Sequence, residues 1–466
     1  MTDTICALAT APGGALGIIR ISGPQALEIL SSIFSKDLTT AQRNTIHYGH
    51  IVATVPASSL TDGQSVALQS PAGQEVIDEA LVSVLRAPHS YTGEDSAEIS
   101  CHGSRYILNK VLELLVENGC RMAEPGEYTM RAYLNGKMDL SQAEAVADLI
   151  ASNNQATHQI AMSQLRGHFS SRLAQLREQL LKLTSLLELE LDFSDHEDLE
   201  FANRKELQEL TKTIDKQITT LAHSFEAGQA IKQGIPVAIV GKTNVGKSTL
   251  LNRLLKDDRA IVSNVHGTTR DTIEDTIDLQ GVTFRFIDTA GIRQTSDHVE
   301  QIGIERTFAA IDKASIVLWL VDEEPSQEEF NKIKELTDNK KLIIVRNKMD
   351  KVKNAPFTIV KIPLIEISAK HGTHLADLEQ AIYNAADLAC LSSADIIVTN
   401  ARHYEALSRA RGHLQRVLDG LDKQISGDLL SEDLRLTIDT LAEITGGQIT
   451  PNEVLGNIFK NFCVGK

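Results

Sequence analysis

No apolar run in the 466-residue sequence approaches the roughly 18 residues that a membrane-spanning helix needs, so no membrane span is expected. Cysteine is scarce and scattered. The five thiols, Cys6, Cys101, Cys120, Cys390 and Cys463, are odd in number and far apart, which builds neither a disulfide framework nor a zinc site. A reducing cytoplasm is the simplest setting for them. Positive charge is also short: 46 Lys and Arg stand against 62 Asp and Glu, for a net charge of −16. Such a chain does not bind nucleic acid by bulk electrostatics, so an RNA substrate would need a local basic patch or a basic partner. The opening residues, MTDTICALATAPGG, have no basic n-region, and no signal peptide is expected. Internal repeats and low-complexity tracts are absent. What remains is ordinary globular material, 42% hydrophobic and 23% charged, enough for about three domains at roughly 150 residues each.

Four textures follow one another along the chain. Residues 1–120 mix strand signals (TICALAT, LGIIRIS, VIDEALVSVLRA, SAEISC) with two helix signals (PQALEILSSIF and SRYILNKVLELLVENG), the second ending at Gly119. This predicts an α+β domain, with TDGQSVALQSPAGQE as a loop. Residues 121–233 are helical in pattern, with apolar residues at helical spacing and few breakers. Residues 234–389 alternate short β-rich runs (PVAIVG, FRFIDTAG, SIVLWLVD, KLIIVRNK) with helical stretches, the sign of a parallel α/β sheet. Residues 390–466 return to helix. The pattern predicts an α/β domain inserted into a helical domain, which is plausible because the termini of a domain often lie close together.

The third segment carries the most specific motif. GKTNVGKST fits the P-loop: Gly241, four residues, Gly246, Lys247 and Ser248, preceded by a strand signal and followed by a helix signal. Backbone N–H groups of such a loop curl around phosphate oxygens. Lys247 would reach the β- and γ-phosphates and Ser248 would bind Mg²⁺. After the strand signal TFRFI come Asp288, Thr289, Ala290 and Gly291, where a carboxylate behind the Mg²⁺ shell and a phosphate-sensing N–H belong. Asn347, Lys348 and Asp350 follow KLIIVR. Asp350 can accept from the N1–H and N2 amino group of guanine, which adenine cannot offer. Ser368, Ala369 and Lys370 follow PLIEI, and their backbone N–H groups suit the guanine O6. The stretch SNVHGTTRD supplies Ser263, Asn264, Val265, His266, Gly267, Thr268 and Thr269 as a switch loop. Thr269 is a candidate Mg²⁺ ligand, and Arg270 with Asp271 reads equally as a solvated loop pair. With Asn244, Val245 and Thr249 of the P-loop, these residues form the candidate GTP site. The segment resembles a translation-factor-class GTPase of the Ras-like superfamily. In such enzymes a glutamine often follows Asp-x-x-Gly; here it is Ile292.

GTTRD and DTAGIRQTSDHVEQIGIERT also resemble a more particular family, the bacterial tRNA-modification GTPases called MnmE or TrmE. So do APGGALGIIRISGP, PHSYTGED, CHGS, AEPGEYTMRAYLNGKMDLSQAEAVADLI and the terminal FCVGK. The family pattern at the end is usually Phe-Cys-Ile-Gly-Lys, and Val464 replaces the isoleucine. The resemblance implies a multidomain protein: an N-terminal α+β folate-binding and dimerisation domain, a central helical domain, and an inserted Ras-like α/β P-loop GTPase domain. It implies potassium-activated GTP hydrolysis, with Asn244, Ser263, Val265 and Thr268 around the ion and Glu300 orienting the attacking water. It implies a folate site at Arg20, Glu79, Arg121 and Lys466, taking 5-formyl- or 5,10-methylene-tetrahydrofolate, with Cys463 beside it. Cys463 would be a nucleophile, an acid or base, a redox group or a small buried hydrophobe. His102 beside Cys101 lacks further ligands for a metal and fits a structural role.

The function so implied is addition of a carboxymethylaminomethyl or aminomethyl group to C5 of the wobble uridine (U34) of certain tRNAs. It would be performed by a cytoplasmic homodimer in a heterotetramer with the FAD-binding protein MnmG (GidA). Two other readings stand beside it: a regulatory GTPase switch that modifies nothing itself, and a one-carbon enzyme in which the GTPase is only a structural insert. The folate-domain signatures weigh against the first, and the intact catalytic set, Glu300 included, against the second.

Overall fold

The computed structural model describes residues 3–54, 69–70, 74–192, 204–257, 275–287, 308–351, 364–387, 396–447, 452–460 and 462–465. The chain divides into two compact units. One comprises Met1–Ile150, Gln164–Ala174 and Ala442–Lys466; the other comprises Ala151–Ser163 and Gln175–Leu441.

The first unit is built on a seven-stranded sheet. Its strands are β1 (Ile5–Leu8), β2 (Leu16–Ser22), β3 (Thr45–Thr54), β4 (Gln69–Ser70), β5 (Gln74–Leu85), β6 (Ser96–His102) and β7 (Arg121–Met122). They run in the order β3-β5-β6-β2-β1-β7, with β4 on β5. Only the β1–β7 pairing is parallel. Side chains alternate across a strand, and one face takes Ile19, Ile21, Val82, Val84 and Ile99 into a core with helices α1 (Ala26–Ile33) and α2 (Arg105–Glu117). Helix α2 buries Leu108, Val111, Leu114 and Leu115, the i, i+3, i+4 stripe of a helix lying on a sheet. The opposite face carries Arg20, Glu79 and Arg121, as register and alternation require. Part of that face is covered by Tyr128, packed with Ile5, Ala7 and Ala123.

Helix α3 (Glu127–Leu134) follows the sheet, and α4 (Leu140–Ala151), α5 (Gln155–Leu165) and α6 (His168–Asp192) come after it. Of the helical run expected over residues 121–233, the part from Leu140 to Asp192 is thus three helices. The breaks fall at Asn153–Asn154 and at Gly167, whose φ of +80° no continuing helix allows.

The second unit holds a six-stranded sheet: β8 (Ile235–Val240), β9 (Asp275–Leu279), β10 (Val282–Phe286), β11 (Ile316–Val321), β12 (Lys341–Arg346) and β13 (Leu364–Glu366). The order is β13-β12-β11-β8-β10-β9. All neighbours are parallel except the edge pair β9–β10, so the expected parallel sheet carries one antiparallel edge. Every residue of the central strand β11 is buried, because both faces are covered. One face packs Val237, Ile239, Phe284, Leu318 and Val345 against α8 (Lys247–Asp257) and α10 (Leu375–Ala385). The other packs Val240, Val317, Trp319 and Ile344 against Phe330 of α9 (Gln327–Leu336). Two long helices, α7 (Arg204–Gln233) and α11 (Ala401–Asp422), pack against each other, with Phe225 and Tyr404 stacked at 4.5 Å. Helix α12 (Gly427–Thr445) follows, and α13 (Asn452–Phe459) belongs to the first unit.

Candidate functional site

Three expected nucleotide motifs meet at the carboxyl ends of the parallel strands, where open α/β sheets bind ligands. Strand β8 runs into the P-loop, and α8 begins at Lys247. The apolar strand fixes where the loop starts, and the first turn of a helix is where backbone N–H groups can receive an anion. Gly246 has a φ of +102°, and a Cβ there would fall on the Asn347 amide. The Lys247 ammonium donates to the carbonyls of Gly241 (2.6 Å) and Lys242 (2.8 Å). Burial pulls its pKa below the ordinary lysine value, as desolvation of a cation must.

Asn347, at the end of β12, ties the motifs together. It is 3% exposed. Its Nδ2 donates to Val245 O at 2.8 Å, and its Oδ1 accepts from Ala369 N at 2.9 Å. One amide thereby fastens the phosphate loop to the Ser368–Lys370 loop, with both ends of the side chain used. The Asp350 carboxylate accepts from Ser368 Oγ at 2.8 Å, and that hydrogen bond holds its pKa below the usual carboxylate range. Lys348 sits at φ +65° and pairs with Asp322 at 2.8 Å. Asp322 is a residue that motif reading missed; only its place directly after β11 could have marked it.

Asn244 and Thr249 are exposed, Val245 is buried, and Ser248 lies half-buried in the first turn of α8. Ala369 is buried and Lys370 exposed. Ser263, Asn264, Val265, His266, Gly267, Thr268, Thr269, Asp288, Thr289, Ala290, Gly291 and Glu300 lie outside the described residues, as does Lys466.

In the first unit, Arg20 gathers several partners. Its Nη2 meets Glu98 Oε1 at 2.6 Å and its Nη1 donates to Gly465 O at 3.0 Å. The guanidinium lies over the rings of Tyr91 and Tyr128, at 5.7 and 5.6 Å. Gly465 of FCVGK therefore returns to the sheet face that carries Arg20. Cys463 is exposed, and its carbonyl accepts from Gly126 N at 3.4 Å. Glu79 and Arg121 share this face but have other partners: Glu79 faces His50 at 3.8 Å, and Arg121 pairs with Asp3 and Glu127. His102 Nδ1 lies 2.7 Å from Asp78 Oδ1. Cys6, Cys101 and Cys120 are buried free thiols.

The family follows from two sequence profiles. One, described as the MnmE helical domain, matches residues 140–463, and one described as the GTP-binding protein TrmE N-terminus matches residues 4–137. The chain belongs to the MnmE family. Curated MnmE relatives agree over their whole length. The protein named tRNA modification GTPase MnmE of Phocaeicola vulgatus is 55% identical, with 100% of this chain and 99% of that protein covered. The proteins of the same name from Bacteroides thetaiotaomicron and Parabacteroides distasonis are 54% and 50% identical, with 99% and 100% of their lengths covered. Among solved structures, the G domain of the T. maritima FeoB iron transporter is 24% identical over 33% of this chain and 98% of that one, with a TM-score of 0.25.

Proposed function

We propose that this chain is a GTP hydrolase of tRNA modification, activated by potassium and working with the FAD-binding protein MnmG. The product is a carboxymethylaminomethyl or aminomethyl group on C5 of the wobble uridine of certain tRNAs, with the one-carbon unit drawn from a reduced folate. The observation that carries the GTPase reading is the Asn347 amide, which joins the phosphate loop to the loop beside Asp350. That arrangement suits a ligand with phosphates at one end and guanine at the other.

In this reading Lys247 and the P-loop N–H groups hold the phosphates, and Ser248 with Thr269 holds Mg²⁺. Asn244, exposed on the phosphate loop at φ +63°, fits a potassium site completed by Ser263, Val265 and Thr268. Bound potassium would add positive charge beside the phosphates. Glu300 orients the water that attacks the γ-phosphate, giving GDP and inorganic phosphate, and so takes the part that Ile292 cannot. The α/β domain is an insert between α7 and α11. Arg20, Glu79, Arg121 and Lys466 form the folate site, and the docking of Gly465 on Arg20 supports placing Cys463 beside it. A homodimer is supported by Ile46, Tyr48 and Leu81, 68%, 53% and 48% exposed on one face of the sheet. The cytoplasm is the proposed location, with tRNA and MnmG as partners.

The test has two parts. Wobble uridines of tRNA from cells lacking the protein are measured by mass spectrometry, and GTP turnover is compared in potassium and in sodium. The modified uridine should vanish, and turnover should be much faster in potassium. Normal uridine modification removes the tRNA reading; equal rates in the two salts remove the potassium site.

A further inference from the structure

The stretch AEPGEYTMRAYL borders the face that carries Arg20 and Arg121, and it holds a buried ion-pair group, Glu127 with Arg131. Glu127 closes a turn over residues 124–127, its Oε2 accepting from Glu124 N at 2.9 Å. The carboxylate is buried between two guanidiniums, Arg121 Nη2 at 2.6 Å and Arg131 Nη2 at 3.0 Å. Arg131, 1% exposed, also pairs with Asp3 at 2.9 Å and Glu94 at 3.2 Å. Burial pushes the Glu127 pKa up, but the hydrogen bonds from Arg121, Glu124 N and Arg131 outweigh it and the net shift is downward. Buried charges persist only when paired in this way, and a turn closed by such a group is stiff.

The stiff turn presents Gly126. It stands at φ +69°, and a Cβ there would lie 2.9 Å from both Phe459 O and Phe462 Cβ. Its N–H meets the Cys463 carbonyl. Two residues further on, Gly465 is buried at φ +93°, where a Cβ would lie 2.5 Å from Leu8 O, and its own carbonyl takes the Arg20 hydrogen bond. Cys463 and Val464 are the exposed residues between these two close backbone approaches. The segment is thus pinned on each side of the thiol, mostly through backbone.

We propose that the 124–127 turn is the seat of Phe459 and residues 462–465, and that Gly126 and Glu127 are positioning residues for the Cys463 thiol. This rests on the reading of Cys463 as a reacting group in tRNA modification. Neither residue touches the reacting atoms. They act by fixing where the thiol stands, and a displacement of 1 Å can cost about 100-fold in rate.

The experiment uses the full chain with Gly126→Ala, and Gly136→Ala as control. Gly136 has almost the same backbone, φ +68°, but nothing lies within 4 Å of a Cβ built there, so it carries the backbone strain without the clash. Hydrogen exchange should accelerate about tenfold or more in peptides spanning residues 455–465 of Gly126→Ala, while β2 and α2 keep their protection. Wobble-uridine modification in cells should fall with it, and GTP turnover in potassium should not. Gly136→Ala should match the wild type in all three. Glu127→Gln should loosen the same peptides. Unchanged exchange in Gly126→Ala overturns the seat, as does equal loosening in Gly136→Ala. If the segment loosens but modification persists, Cys463→Ser decides: loss of modification there overturns the positioning role alone, and normal modification there overturns the reading of the thiol beneath it.

Discussion

At Asp350 one carboxylate oxygen is already committed to the Ser368 hydroxyl. That bond orients the group and leaves its remaining lone pairs for a ligand bearing two N–H donors side by side. An asparagine at this position would turn one acceptor into a donor. Hydrogen bonds to a charged group contribute about 1.5–3 kcal/mol each, so Asp350→Asn should weaken GTP by about 10-fold or more. Xanthosine triphosphate, which carries a carbonyl at the position of the guanine amino group, should gain. Titration of both nucleotides checks this, and an unaltered GTP affinity would remove Asp350 from the base site.

The buried pair of Glu127 with Arg121 and Arg131 ties together the start of α3, strand β7 and the Asp3 segment. Removing one member of a buried pair costs about 3–5 kcal/mol. Because the folded Glu127 pKa lies below the unfolded value of about 4.3, the group's contribution is complete above that pH. It is lost as pH falls through the depressed folded value. The stability gap between wild type and Glu127→Gln should therefore be widest near neutral pH and shrink below about pH 4. Urea midpoints at pH 7 and pH 3.5 test it; an equal gap at both would mean that charge is not what Glu127 contributes.

Elements with a clean apolar rhythm were legible in the sequence. LGIIRIS, SAEISC, PVAIVG and SIVLWLVD are strands, because their burial alternates or is continuous. Strand β3 was not, since His47, Gly49 and His50 interrupt the rhythm of TIHYGHIVAT and its place in the sheet comes from ten register pairs with β5. Strand β9 was missed for a similar reason: three of the five residues of DTIDL are charged or polar, at a sheet edge. At the nucleotide site, motif spacing located Asn347 but not its double hydrogen bond, which depends on loops 102 and 22 residues away. The pairing of Glu127 with Arg121 and Arg131 is local in sequence, but Asp3 and Glu94, which complete the group through Arg131, lie far off, so the sequence alone did not show a buried cluster.

For the whole molecule, the exposed Ile46, Tyr48 and Leu81 lie together on one face of the first unit's sheet. Cross-strand pairing sets Tyr48 opposite Leu81, so the three make one patch. If a second copy covers it, Tyr48→Asp with Leu81→Asp should halve the mass measured by light scattering while leaving the far-ultraviolet circular dichroism intact. A double variant that keeps the mass of two chains would place the contact elsewhere.

The bond from Arg20 to Gly465 spans 445 residues. A ribosome adding about 5–20 residues per second therefore releases Arg20 some 20–90 s before its partner exists. The sheet, α1 and α2 have all their pieces early in that interval, and Glu98 is there to hold the guanidinium in the meantime. The seat at Gly126 is also made long before its occupant. Synthesis thus makes the residues of the platform first and the thiol that rests on them late.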